Sequence, residues 1–281
     1  MKIINGRTGD DLGVSNVVSI IMITGIVTSL MGMVFSTYLP AWGKDVEAQT
    51  LNEAMDSFMD LKSSMETLSV RGDPGTSTTT KITLGSAGGP VFGFGRFSGS
   101  FSLRSRGAVV SVSNDVGNIL ASGRGAVRYS SSNTYVDDQE ISLEAGAIIR
   151  EQAGSSVLKG APNFLITRDS SSGETSLYVI VPTIEGDVSS YTGSGTYMSS
   201  VTLLSSQVSE TEPGAGRTIT YTITTEYPGV WDGFVTEMMT SEGIDAGDYS
   251  TDTTVDGQFS VDMSNLDNVI IRSTVFQMYI R

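Results

Sequence analysis

The hydrophobic pattern divides the chain into an uncharged apolar run, an amphipathic run and a long series of short β-prone segments. Val14 to Gly43 contains no Asp, Glu, Lys or Arg. As a helix, the part from Val14 to Leu39 measures roughly 39 Å at ~1.5 Å per residue, more than the ~30 Å hydrocarbon core of a bilayer. The pattern therefore predicts a membrane-spanning helix.

The second run, Lys44 to Leu68, repeats apolar residues at the helical period, so we expect an amphipathic helix there. Glu47 and the other charged residues between them are predicted to form a solvated face. The chain then reads Arg71-Gly72-Asp73-Pro74-Gly75, which favours a helix end. Arg-Gly-Asp also occurs in adhesion ligands, but Gly and Pro explain this stretch. Pro40 is a position where the long helix can kink.

From Thr76 onward, short β-prone runs alternate with clusters of Gly, Ser, Asn and Asp, while helical runs are scarce. This sequence pattern predicts a mostly antiparallel, sandwich-like β region without parallel βαβ units. One short helix is expected at about Val230 to Ser241, with Trp231 in the core. The fold class is therefore α+β. The predicted strands are Lys81–Leu84, Phe97–Leu103, Ala108–Val112, Ala126–Tyr129, Ala147–Gln152, Phe164–Thr167, Ser176–Val181, Val201–Ser206, Arg217–Thr225, Gln258–Met263 and Val269–Ile280.

Composition narrows the possible functions. The chain has no histidine and no cysteine, which excludes Ser-His-Asp catalysis, thiol nucleophiles and the common zinc ligand sets. Asp and Glu outnumber Lys and Arg by 31 to 17, and the net charge of −14 disfavours binding to nucleic acid. We expect no enzyme activity, no metal and no cofactor, although an anchored hydrolase using carboxylates stays open as a third class.

Two acidic stretches are the remaining candidates for binding. Asp245, Asp248, Asp252 and Asp256 could offer oxygens to calcium, but they lack the EF-hand pattern. We expect a solvated acidic surface there, and another at 137–140.

Small residues form a stripe within the apolar run. Gly25, Ser29, Gly32 and Ser36 are spaced by four, three and four residues, which places them on one face of a helix. Such a face permits close helix–helix packing. The competing interpretation is that Gly and Ser are simply frequent in this chain.

The segment Asp10-Asp-Leu-Gly13-Val14-Ser-Asn-Val-Val-Ser resembles the class III signal and mature N-terminus of archaeal type IV pilins. Leu12 stands where those proteins often have Lys or Arg, and Asn16 replaces their proline. The resemblance implies cleavage between Gly13 and Val14 by a prepilin-peptidase-like enzyme. It also implies that the apolar helix, held in the membrane before assembly, later packs against copies of itself or other pilin-like subunits.

These observations predict a leader at 1–13, a membrane or filament-core helix at 14–43, its amphipathic extension at 44–71 and an extracellular β-rich region at 76–281. Lys2 and Arg7 favour a leader on the inner side of the membrane. We expect a pilin-like subunit, major, minor or tip. The alternative is a permanently anchored single-pass surface protein for adhesion or envelope contact that does not polymerise.

Overall fold

A computed structural model describes residues 10–86, 97–186, 190–214 and 216–280, and side-chain environments from Asn16 onward. The fold is α+β, as predicted: a long N-terminal helix precedes a β-rich region that carries one short helix. The bounds are α1 Asp10–Met33, a π-helical turn Val34–Tyr38, α2 Leu39–Arg71, β1 Ser77–Gly85, β2 Ser98–Asn114, β3 Ile119–Ser132, β4 Gln139–Glu144, β5 Ala147–Gln152, β6 Ser155–Gly160, β7 Phe164–Arg168, β8 Thr175–Glu185, β9 Tyr191–Gly193, β10 Gly195–Thr211, β11 Thr218–Thr224, α3 Pro228–Ser241, β12 Tyr249–Asp252, β13 Gln258–Ser264 and β14 Asn268–Ile280.

The N-terminal helix runs without a break from α1 through the π-helical turn into α2. Pro40 lies in the first turn of α2 and does not end the helix; the irregularity is the π-helical turn just before it. The helix ends at Arg71, because Gly72 adopts a left-handed conformation with φ of 69° and donates its N–H to Leu68 O at 3.0 Å. The interpretation of Arg71-Gly72-Asp73 as a helix end is thus confirmed.

The described strands form two sheets that are mostly antiparallel. One follows the order β1-β10-β14-β8-β7, and the other follows β12-β13-β11-β2-β3-β4-β5-β6, with β9 added beside β2. The predicted strands Phe164–Thr167 and Ser176–Val181 correspond to β7 and β8, which form an antiparallel hairpin with Arg168 opposite Thr175. The pairing of β8 with β14 is parallel and was not expected, since no crossover helix follows β8 directly along the chain.

Several strand predictions need correction. The segments predicted at Phe97–Leu103 and Ala108–Val112 belong to a single strand, β2, whose pairing with β3 shifts in register between Arg104 and Val109. This irregularity interrupts the alternation of apolar and polar residues along β2, which is why the sequence predicted two separate strands. Strands β4, β6, β9 and β12 were not predicted, because polar residues occupy much of each.

Two apolar cores lie on either side of a close approach between the sheets. At Gly125, φ is +112° and an added Cβ would lie 2.7 Å from Ile184 O; at Gly123 it would lie 2.4 Å from Pro182 O. The absence of side chains there lets β3 cross β8 closely. One core fills the space between the sheets beneath α3, and the other lies beneath α2.

Helix α3 covers the first core. It begins at Pro228, two residues before the predicted start, since proline is favoured in the first turn. Trp231, Val235 and Met239 are buried, and the Trp231 ring stacks on Phe259 with centroids 6.4 Å apart. The prediction that Trp231 is a core residue is confirmed.

Candidate assembly surface and stem–head junction

The first part of the long helix projects from the rest of the chain with its apolar side chains exposed. We call residues 16–38 the stem and the β-rich region from β1 to β14 the head. Thirteen large aliphatic, Met and Phe side chains between Val17 and Phe35 are 46% to 68% exposed. Within the described residues, this is the one helix long and apolar enough to cross a membrane. A surface of this size requires lipid or protein to cover it.

The structure places the predicted site residues as follows. Gly13 and Val14 both lie in α1, near its first described residue. Gly25, Ser29 and Gly32 share that regular α-helix, and an added Cβ at Gly25 or Gly32 would meet nothing within 4 Å. Ser36 falls inside the π-helical turn instead, so α-helical spacing does not apply to it. Cleavage between Gly13 and Val14 and the packing role of the small-residue stripe stay predictions.

The second part of the helix is built into the head. Its buried stripe includes Leu51, Phe58, Leu61 and Leu68, and the Phe58 ring lies 6.1 Å from that of Phe101 on β2. Polar contacts accompany this packing: Thr83 N donates to Ser57 Oγ at 3.2 Å. The amphipathic helix expected here is present, and its apolar face makes α2 part of one core of the head.

The C-terminal end of α2 is capped by a residue from the middle strand of the smaller sheet. Arg272 on β14 donates from Nη1 to Ser69 O at 2.9 Å and to Ser206 Oγ at 3.3 Å. A cation at this position also interacts favourably with the helix dipole.

A buried carboxylate, that of Glu47, fixes the N-terminal part of α2 to the head. Glu47 is 1% exposed, and its side-chain oxygens accept hydrogen bonds from three successive backbone N–H groups, Thr134 at 2.9 Å, Tyr135 at 2.8 Å and Val136 at 3.0 Å. These donors belong to the connection between β3 and β4. We call this arrangement the Glu47 clamp. The prediction that Glu47 lies on the solvated face is wrong, because the β3–β4 connection covers it and supplies its hydrogen bonds.

A glycine one turn earlier completes the contact. An added Cβ at Gly43 would lie 2.4 Å from Cε2 of the Tyr135 ring, so this residue must lack a side chain for the loop to seat on the helix. Sequence reasoning missed the pair. The available signal was spacing, because Gly43 and Glu47 stand eight and four residues before Leu51, in line with the buried stripe.

A second buried carboxylate lies inside the head. Glu144, at the end of β4, is fully buried and accepts hydrogen bonds from Thr225 Oγ1 and, at 2.9 Å, from Trp231 Nε1. Burial raises the pKa of Glu144 above its ordinary value, and these hydrogen bonds together with the nearby Arg128 oppose the shift. The carboxyl group thereby ties β4 to the start of α3.

Beside Glu144, one buried guanidinium joins two more carboxylates. Arg128 Nη1 lies 2.9 Å from Glu140 Oε1 and 2.7 Å from Glu226 Oε2, and the Tyr227 hydroxyl donates to Glu140 Oε1 at 3.0 Å. The hydrogen bond from Arg128 holds the pKa of Glu226 below its ordinary value. Glu140 was predicted on a solvated acidic surface. It is instead partly buried, because Arg128 points inward from the neighbouring strand β3.

Three residues of the acidic stretch that follows α3 contact polar or basic groups of the head. Asp248 Oδ1 accepts from Asn265 Nδ2 at 2.7 Å, Asp252 lies in β12 and accepts from Thr254 N, and Asp245 is 3.8 Å from Arg168 Nη1. In the described part of the chain, no group of three acidic residues is arranged to hold a metal ion.

Fold and surface together define an α+β protein whose β-rich head is carried on one helix long enough and apolar enough to cross a membrane. The chain belongs to the DUF7289 family, a family of unknown function, whose model matches residues 13–276. A search of curated proteins found no match.

Proposed function

We propose that the protein is a pilin-like structural subunit of the cell surface. Cleavage between Gly13 and Val14 by a prepilin-peptidase-like enzyme would free the stem, which then packs against stems of other copies in a filament. The head would lie outside the membrane and form the surface of the filament or its tip. No cofactor, metal or nucleic acid has a part in this function.

The observation that carries the proposal is the continuity of one helix through two environments. Its N-terminal part is apolar and exposed on all sides, and its C-terminal part packs into one of the two cores of the head. Covering thirteen large apolar side chains at ~1.5 kcal/mol each amounts to on the order of 20 kcal/mol relative to water. A helix of this kind leaves lipid only if other apolar helices replace the lipid.

The same surface also suits the alternative, a single-pass anchor that stays in the membrane. One feature favours assembly over the anchor: the segment around Gly13 resembles pilin processing sites. The anchor hypothesis gives no reason for a cleavable leader directly before the stem.

N-terminal sequencing of the cell-surface form tests the proposal. We expect the mature chain to begin at Val14 and to sediment as polymer without detergent. Gly13→Leu should retain Met1 and remain in detergent-extracted membranes, whereas the matched leader variant Gly6→Leu should be processed normally. A surface form that begins at Met1 and is recovered only in detergent would refute the proposal and favour the anchor.

A further inference from the structure

The π-helical turn at the C-terminal end of the stem determines which face of the preceding stem residues lies beneath the head. In this turn Leu39 N–H donates to Val34 O, five residues back, instead of to the residue four back. A turn of this kind holds one more residue than an α-helical turn. Relative to an uninterrupted α-helix, the stem is therefore rotated by about 100° and shifted by about 1.5 Å against the head.

Proline explains why the turn lies where it does. Pro40 has no N–H to donate to Ser36 O, and its ring would clash with that carbonyl in a regular α-helix. Widening the preceding turn removes the clash and lets the helix continue. The π-helical turn ends at Tyr38, two residues before Pro40.

The rotation matters because of how the two halves of the helix would otherwise align. Gly25 lies 18 residues before Gly43, which is about five α-helical turns. In an uninterrupted α-helix, Gly25, Ser29 and Gly32 would fall within about 40° of Gly43, in line with the buried stripe of α2 that faces the head. The small-residue stripe would then lie directly beneath its own head.

We propose that Pro40 is a positioning residue: through the π-helical turn it rotates the stem so that the face carrying Gly25, Ser29 and Gly32 points sideways from the head, toward a neighbouring copy of this chain. The part of this inference that concerns neighbours rests on the proposed function. The rotation itself is a property of the single chain and is measurable without assembly.

Spin-label distances in the detergent-solubilised full chain test the rotation, since the chain has no native cysteine. One label is placed on the head at Met198→Cys, which is exposed, and the other on the stem at Ser29→Cys or Val27→Cys. The two stem positions are nearly opposite at ~100° per residue. A rotation shortens one distance and lengthens the other, whereas a simple shift along the axis moves both in the same sense.

We expect Pro40→Ala to restore an α-helical turn and to change the two distances in opposite senses, by up to about 9 Å for a rotation of about 100° at a radius of about 6 Å. Deleting Thr37 in the Pro40→Ala chain removes the extra residue and should return both distances to the wild-type values. Unchanged distances in Pro40→Ala, or changes that the deletion does not reverse, would overturn the inference.

Assembly gives a separate readout. If the wild-type chain polymerises, Pro40→Ala should shift the stem position that forms intermolecular cysteine crosslinks by one residue toward the C-terminus, and deletion of Thr37 should restore it. Polymers with an unchanged crosslink pattern would contradict the positioning role and leave the proposed function standing. Failure of the wild-type chain to polymerise would refute the proposed function and leave the rotation intact.

Discussion

Replacing Glu47 by alanine should detach the β3–β4 connection from the helix and destabilise the head. The carboxylate is buried and accepts three backbone hydrogen bonds of 2.8 to 3.0 Å. Hydrogen bonds to charged groups contribute about 1.5–3 kcal/mol each. The sum is an upper bound, because Thr134 is exposed and its N–H can turn to water, and because burying the carboxylate has its own cost.

We therefore expect Glu47→Ala to lower the free energy of unfolding by ~2–4 kcal/mol. Glu47→Gln should lie between alanine and wild type, since it keeps one acceptor oxygen but turns an amide NH₂ toward backbone donors. Glu53→Ala is the matched control: Glu53 lies on the exposed face of the same helix, accepts one side-chain bond from Gln49, and should cost less than about 0.5 kcal/mol.

Denaturant unfolding of the full chain in detergent gives the free energies, and amide hydrogen exchange locates the effect. In Glu47→Ala the amides of Thr134, Tyr135 and Val136 should exchange faster while those of β14 keep their protection. A Glu47→Ala protein within 0.5 kcal/mol of wild type, with these three amides still protected, would refute the clamp.

Three further variants address the head and its attachment to the helix. Glu144→Gln should flatten the pH dependence of the free energy of unfolding, because burial raises the pKa of Glu144 in the folded chain. The stability that Glu144 contributes is greatest below its unfolded pKa of about 4.3 and is lost as the pH rises through its folded pKa. If the free energy of unfolding differed between pH 4 and pH 7 by the same amount in Glu144→Gln as in wild type, this reasoning would be contradicted. Arg272→Ala should cost ~1–2 kcal/mol by uncapping α2, detected as faster exchange in its last turn. Gly125→Val should cost more than about 3 kcal/mol in denaturant unfolding, because it combines a positive φ with a clash against Ile184 O, and wild-type stability would disprove the close approach.

Much of the fold follows from local pattern. The apolar run, the amphipathic helix and its end at Gly72 depend on residues close in sequence, and periodicity describes them directly. Strand β11 alternates apolar and Thr residues, and its predicted bounds match the structure within one residue at each end. These elements could be predicted because their neighbours along the chain determine them.

The polar interior could not be predicted in the same way. Glu47 meets donors nearly ninety residues away, Arg128 on β3 meets Glu226 in the connection between β11 and α3, and Glu144 meets Trp231 on α3. In sequence each is an ordinary charged residue, for which exposure is the usual outcome. Their burial depends on how distant strands pair, and no local pattern carries that information.

The junction between stem and head combines two devices with separable effects. The Glu47 clamp and Gly43 hold the N-terminal end of α2 against the β3–β4 connection, whereas Pro40 and the π-helical turn set the rotation of the stem relative to the head. Loss of the clamp should therefore broaden the spin-label distance distribution between Ser29→Cys and Met198→Cys without moving its mean, because the N-terminal end of α2 and the stem that precedes it gain freedom relative to the head. Pro40→Ala should do the reverse and move the mean at constant width. If Glu47→Ala moved the mean as Pro40→Ala does, the two devices would be one, and the orientation of the stem would depend on the loop contact instead of on the helix.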